Sequence, residues 1–454
     1  MQHTITKIFA LLALLSLTAC DAFLENELPS NEIRIEEGLT NEAELQELLN
    51  SAYDVMANSF GGNSQKLAEL LGEDIFIDGN PGFLTQVYNR ASDFFNPESG
   101  GFYRNPYIAI SRANSLLENL ERLGLTGSEA DRLAGEAKAI RAICHFELVR
   151  LFAQPPGFTP DDSHLGIVLK INSDPDPAPR STVAEVYAQI VQDLDEAVAQ
   201  LPADNGIYIG KYGAQAYLAR VYFFQNDFEN AADAAQDVIN NSGVELAADI
   251  EGRYTQGTPS EGLINIISTG LEDNRAGALR GLFASDSQIP FMKASEDYVA
   301  LLSANPDDKR NAWLTQVDQG GTTFNLFTKY NLLYFSYSIV SLTEMYLIAA
   351  ESLGELGRDG ATAVGYINAI KERAGIEALS LSANNSTIIT EARLEKRKEF
   401  GAEGVNVFDL KRRGAKGENI FIRGAEWNCN GMILQFPASE ITVKGFELNE
   451  EGGC

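Results

Sequence analysis

Tyr212-Gly-Ala-Gln-Ala-Tyr-Leu-Ala-Arg-Val-Tyr-Phe-Phe-Gln-Asn-Asp-Phe-Glu-Asn-Ala231 is the stretch that decides the fold. Leu218, Ala219, Tyr222 and Ala231 fall at the spacing of tetratricopeptide repeats, with Asn226-Asp227 at the turn. Small residues at those points let two antiparallel helices approach closely, and the aromatics fill the groove between them. A helix pair is therefore expected over residues 212–240, and a second over about 342–375 with its turn near 357–360. Either pair alone could be an ordinary helical hairpin. Several pairs in one chain favour a superhelix.

Working outward, Thr182-Val-Ala-Glu185 is a capping box, followed by apolar residues at Val186, Tyr187, Ile190, Val191, Leu194 and Ala197 and stopped by Pro202. Ala137, Ile140, Cys144, Leu148 and Leu151 mark one face of another long helix. Residues 155–179 hold six prolines and cannot stay helical. Residues from about 243 to 337 are rich in Gly, Ser, Asn and Asp, with short apolar runs and dense turn signals. The expected fold is mainly all-α: a tetratricopeptide-like superhelix with an irregular, loop-rich insertion.

The N-terminal end has a different character. Residues 1–7 carry one positive charge, residues 8–15 are apolar, and Leu17-Thr-Ala-Cys20 closes the run. This is the layout of a secretory signal ending in a bacterial lipoprotein cleavage pattern. Residues 1–19 are expected to be removed, leaving Cys20 acylated on its sulfur and amine; several acyl chains make a stable anchor. Residues 20–40 are polar and acidic and read as a tether to a body spanning 41–454. A formal charge of −29 argues against nucleic acid or anionic lipid as the main partner, since both need basic patches. Of the four cysteines, Cys20 is assigned to lipid and Cys144 to a buried helix face. Cys429 and Cys454, both in the tail of an exported chain, remain as a candidate disulfide.

Motifs for chemistry are missing. Beyond the signal there are two histidines, His145 and His164, and no HExxH, CxxC pair, GxSxG, Walker loop or GxGxxG. Asp174 with Asp176, and Asp307 with Asp308, lack the full ligand ladder of a calcium loop. No metal, cofactor or catalytic residue is assigned.

The chain resembles the RagB/SusD family of outer-membrane nutrient-binding lipoproteins over nearly all of its length. The stretches that carry the likeness are Tyr107-Ile-Ala-Ile-Ser-Arg-Ala-Asn114, Glu136-Ala-Lys-Ala-Ile-Arg-Ala142, Ser181-Thr-Val-Ala-Glu-Val-Tyr187 and Tyr212-Gly-Ala-Gln-Ala-Tyr-Leu-Ala-Arg220. Further on come Glu344-Met-Tyr-Leu-Ile-Ala-Ala-Glu351, Ile370-Lys-Glu-Arg-Ala-Gly375, the run from Glu395 to Glu403, Phe408-Asp-Leu-Lys-Arg412 and Phe436-Pro-Ala-Ser-Glu-Ile441. The family often has Arg before the Phe-Asp-Leu run and Trp after it, where this chain has Asn406-Val407 and Arg413. The charges in these stretches, Arg141, Arg220, Glu344, Glu351, Glu399 and Asp409, lie beside apolar helix faces and are expected to form buried ion pairs.

The resemblance implies a surface-exposed, lipid-anchored outer-membrane protein that captures a nutrient, usually an oligosaccharide, and passes it to a SusC-like TonB-dependent barrel. It implies no catalysis and no cofactor. Binding of a peptide or other non-sugar polymer on the same scaffold is the alternative, and a surface glycan hydrolase a more distant one. A sugar site combines aromatic platforms with Asp, Asn and Arg. Aromatics on irregular segments are the candidates, because helical ones go to core. That singles out Asp74, Asp78, Asn80, Tyr88, Arg90, Phe94 and Phe95 in one stretch, and Tyr298, Asp307 and Trp313 in another.

Overall fold

The computed structural model of the chain describes residues 39–79, 81–286 and 289–454. The expected signal, Cys20, the tether up to residue 38 and Asn80 lie outside the described residues.

The first half is helical: α1 (Glu42–Phe60), α2 (Asn63–Leu71), strand β1 (Ile75–Ile77), α3 (Phe83–Tyr88), α4 (Pro97–Leu123), α5 (Ser128–Phe152), α6 (Val183–Gln200), α7 (Lys211–Phe224) and α8 (Phe228–Asn241). Short elements follow: β2 (Gly262–Ile266), α9 (Gly277–Phe283), β3 (Met292–Ala294), α10 (Glu296–Ser303), β4 (Leu314–Gln319), β5 (Thr322–Phe327) and β6 (Tyr337–Ser341). The chain then returns to helices with α11 (Leu342–Leu356), α12 (Gly360–Ala374), α13 (Asn385–Phe400) and α14 (Asn406–Ala415), and ends with the small hairpin β7 (Phe421–Ile422) and β8 (Ala425–Glu426).

Local chemistry sets these boundaries. Thr182 and Glu185 form the reciprocal capping box that starts α6. The turn between α7 and α8 places Asn226 at φ 60°, a left-handed position that Asn tolerates, and Asp227 then caps α8 by accepting from the Asn230 N–H. Gly357 and Gly375 end α11 and α12 in the left-handed conformation.

Each helix packs on the next: α4 on α5, α5 on α6, α6 on α7, α7 on α8. The succession then passes over the irregular segment, for α8 packs directly on α11, and α11 on α12 and α13. Leu218, Ala219 and Ala231 are buried at the α7–α8 contact, as the repeat spacing requires. The insertion forms antiparallel two-stranded pairs, β2 with β6 and β4 with β5, while β3 reaches back to pair with β1.

The family-matching charges are internal. Arg220 meets Glu344 at 2.5 Å, Arg141 meets Asp193 at 2.6 Å, and Glu351 takes Arg412 at 2.7 Å with Arg393 and Lys396 beside it. Lys396 in turn meets Asp409 at 2.7 Å. Glu399 receives Arg373 at 2.7 Å and Arg310 at 3.0 Å, and Arg310 is fully buried. Burial alone would raise the Glu399 carboxyl, but the guanidiniums of Arg373, Arg310 and Arg253 outweigh it and hold it below the usual carboxylate range. No helix among the described residues is long and apolar enough to cross a membrane.

Candidate functional site

The first half of α4 forms one wall of a groove of about 1050 Å³. The proline-rich connector over residues 168–178 and the tail over residues 437–443 form the others. A second cavity, internal and lined in part by Gln65, Arg220 and Phe408, has about 60 Å³, room for water but not for a sugar ring.

The groove is built from the helix start outward. Asn96 caps α4, accepting from the backbone N–H of Glu98 (3.0 Å) and Ser99 (3.3 Å), and its amide donates to the Phe83 carbonyl and the Gln86 side chain. Pro97 follows at the first helical position, where its missing N–H costs nothing. This fixed start projects the preceding residues, Phe94 and Phe95, whose ring centroids lie 4.5 Å apart. Phe95 is 71 % exposed, the most exposed large apolar side chain among the described residues. One turn on, Gly101 is exposed, and a Cβ there would meet nothing within 4 Å, so the helix backbone is bare on this face. Tyr103 and Tyr107 lie behind it, 5.0 Å apart, with Tyr103 packed on Phe152 and Phe436.

The connector is suspended from the same helix. The Tyr107 hydroxyl donates to the Val168 carbonyl at 2.7 Å, and the Asn114 amide donates to the carbonyls of Lys170 and Asn172. Arg141 holds Asn114 Oδ1 at 2.8 Å and is itself fixed by Asp193. His145 is buried, its pKa pushed down to about 3 mainly by burial with Arg141 adding to the effect; the neutral ring accepts the Lys170 N–H at 3.3 Å. Tyr107 and Asn114, prominent in the family-matching stretch, thus shape a groove wall. The polar rim carries Arg104, exposed and without a partner among the described residues, with Asp176 and Glu440 opposite. Glu440 is half-buried, and burial raises its carboxyl.

Of the described residues expected to bind ligand, Phe94 and Phe95 line this groove and the others do not. Asp78, at the β1–β3 edge, pairs with Lys293 at 3.1 Å and accepts no place in the groove; Asp307 is exposed in a turn. Tyr88 is half-covered by the Arg423 guanidinium, 3.9 Å from its ring centroid. Four expectations of exposure are corrected. Asp74 is buried against Arg397 (2.7 Å) and Asn406, and Arg90 is buried with Nη2 donating to the Ile422 carbonyl at 2.6 Å. Tyr298 is fully buried, its hydroxyl donating to the Lys398 carbonyl and its ring lying where any Cβ on Gly401 would collide. Trp313 is buried beneath Lys329 and against Tyr254. The irregular segments do carry aromatics, but they dock these on the helices because an insertion this long must bury apolar surface of its own.

Cys429 and Cys454 are joined by a disulfide with Cα atoms 5.8 Å apart, and Cys144 is a buried free thiol. Among the described residues no group of His, Cys, Asp and Glu side chains is placed to hold a metal ion.

A family model for SusD-like proteins, described as starch-binding and associating with the outer membrane, matches residues 22–223, and the SusD family model matches residues 337–435. The chain belongs to the SusD family. Its similarity to SusD-like protein P2 of Formosa agariphila is 26 % identity, covering 96 % of this chain and 97 % of that one. A SusD superfamily protein from Bacteroides thetaiotaomicron superposes with a TM-score of 0.79 at 23 % identity, over 90 % of this chain and 100 % of its own. A laminarin binding SusD-like protein superposes with a TM-score of 0.72 at 21 % identity, over 90 % of this chain and 99 % of its own. At these identities the structural likeness establishes the SusD fold, with its irregular segment set between helix pairs.

Proposed function

We propose that this SusD-family protein captures an oligosaccharide in the α4 groove and delivers it to a SusC-like TonB-dependent transporter, held at the outer membrane by lipid on Cys20. The observation that carries the reading is the groove itself, where exposed Phe95 and half-buried Phe94 stand beside bare helix backbone and a rim of Arg104, Asp176 and Glu440. Pyranose rings present apolar C–H faces to aromatics and hydroxyl edges to charged and amide groups, and this groove offers both. A groove of about 1050 Å³ has room for several sugar rings, and binding stays moderate because ordering a flexible saccharide offsets part of each contact. The laminarin binding relative supports a glycan over a peptide.

Calorimetry against a panel that includes laminarin and starch oligosaccharides tests the capture reading; saturable binding without shortening of the glycan is the expected result. Saturable binding of peptides alone, or turnover of the glycan, would overturn it. For the anchor, Cys20→Ala is expected to leave the precursor unprocessed or to release the protein from membranes, read by fractionation; retention of processed protein in the membrane fraction would refute lipidation there. For the transporter, extraction in gentle detergent should recover a much larger outer-membrane protein with a tagged copy of this chain.

A further inference from the structure

Residues 88–93 join α3 to the aromatic platform; the end of α3 holds them from within, the Arg90 N–H donating to the Val87 carbonyl and the Ala91 N–H to the Gln86 carbonyl, both at 2.9 Å. Arg90 sits at φ +58°, a left-handed conformation that an arginine keeps only when its surroundings impose it. The bonds that end α3 hold it from within, and the C-terminal part of the chain packs over it. Arg423 donates to the Tyr88 carbonyl at 2.7 Å and covers its ring, and Ile422 accepts the Arg90 guanidinium. Gly431 packs so tightly on the Arg90 carbonyl that a Cβ there would lie 2.1 Å from the oxygen, and Gly453 comes to within 3.6 Å by the same measure. At the far end, the Ala438 N–H donates to the Phe94 carbonyl at 2.9 Å.

The last five residues, Glu450-Glu-Gly-Gly-Cys454, are exposed; Asn430 donates to Glu450 at 3.1 Å, Gly453 lies against Arg90, and the covalent bond to Cys429 returns the end of the segment to the body. Two consecutive glycines give such a segment wide freedom once its end is released.

We infer that the disulfide-closed tail is a latch that positions the Phe94–Phe95 platform, so that the groove is fully formed only while Cys429 and Cys454 are joined. The inference rests on the capture reading for its consequence in binding, and on the packing around Arg90 for its consequence in structure. A phosphine reductant supplies two electrons and leaves as its oxide, water giving the oxygen and the two protons, so the S–S bond opens to two thiols and residues 450–454 are freed. The turn at Arg90 then loses the cover of Gly453, and the platform loosens.

The test uses the full chain in three states: oxidised, reduced with a phosphine, and reoxidised. Backbone hydrogen exchange over residues 88–96 is expected to quicken by about tenfold on reduction, a local opening, and to return on reoxidation, while exchange in α7 and α8 stays unchanged. With laminarin oligosaccharide as probe, Kd is expected to rise by roughly three- to tenfold, the scale of one aromatic contact. Cys429→Ser with Cys454→Ser should reproduce the reduced state. Gly431→Ala, which keeps the disulfide but drives a methyl group into the Arg90 carbonyl, should loosen the same residues. Unchanged exchange over 88–96 in the reduced chain would overturn the latch, as would faster exchange there with unaltered affinity. A wild type that ignores laminarin would count against the capture reading for that glycan, and the exchange measurement would still decide the latch.

Discussion

Removing the Phe95 ring should weaken glycan binding about tenfold while leaving the fold intact. Phe95 is 71 % exposed and its ring centroid lies 4.5 Å from that of Phe94. A ring face available to a sugar covers on the order of 60 Å², and at about 25 cal/mol per Å² its burial contributes about 1.5 kcal/mol. Every 1.4 kcal/mol is a factor of ten in Kd. The folded state loses little, since Phe95→Ala leaves the Asn96 cap in place and an exposed side chain changes stability by about 0.5 kcal/mol or less. Calorimetry of Phe95→Ala with the glycan bound by wild type reads the first number, and a urea titration reads the second. A Kd within twofold of wild type would show that the ligand does not stack there, and the groove assignment would fail. A large fall in the urea midpoint would show that Phe95 is a structural residue, contrary to its exposure.

Two further outcomes follow from buried charge. Glu399→Ala strands Arg373 and Arg310; Glu261 still serves the first and Asp308 the second, so the cost should fall near the lower end of the range for breaking a buried pair, about 3 kcal/mol, read as a lower urea midpoint. A loss under about 1 kcal/mol would mean the network is far wetter than its burial indicates. Lys411 is fully buried, with Nζ donating to the Met432 carbonyl, and burial with Arg150 nearby pushes its pKa down to about 7 from 10.5. Between those values the unfolded chain binds more protons than the folded one at this site, so its contribution to stability rises with pH from about 7 to about 10. Lys411→Met should flatten that part of a melting-temperature profile and raise the value at pH 7; an unaltered profile would refute the assignment.

The helix pairs were legible because tetratricopeptide spacing is a periodic signal, and Ala219 and Ala231 bury where that period puts them. The internal ion pairs were legible too, since a charge such as Glu351 on an otherwise apolar helix face needs a partner. Tyr298 and Trp313 were misplaced for a physical reason. Irregular backbone implies a surface position only when no larger body lies beneath it, and here α10 packs on α13 while β3 ties β5 to β1, the strand that follows α2. Tyr103 and Tyr107 were passed over by the converse rule, that helical aromatics go to core. They do pack inward, yet Tyr107 also spends its hydroxyl on the connector, and no periodicity reveals such a bond across 61 residues.

The chain's two ends are stitched together by single bonds of very long reach. The Gly404 N–H donates to Glu69 across 335 residues, Arg397 meets Asp74 across 323, and Arg90 meets the Ile422 carbonyl across 332. A polypeptide emerging N-terminus first would therefore carry α1 through α4 with part of their contacts unmade until α13 and α14 arrive. Contacts so distant in sequence close slowly, because the loop entropy must be overcome before the contact forms. The early helices would meanwhile expose apolar surface, and their safe passage depends on completing the segment from residue 385 onward quickly.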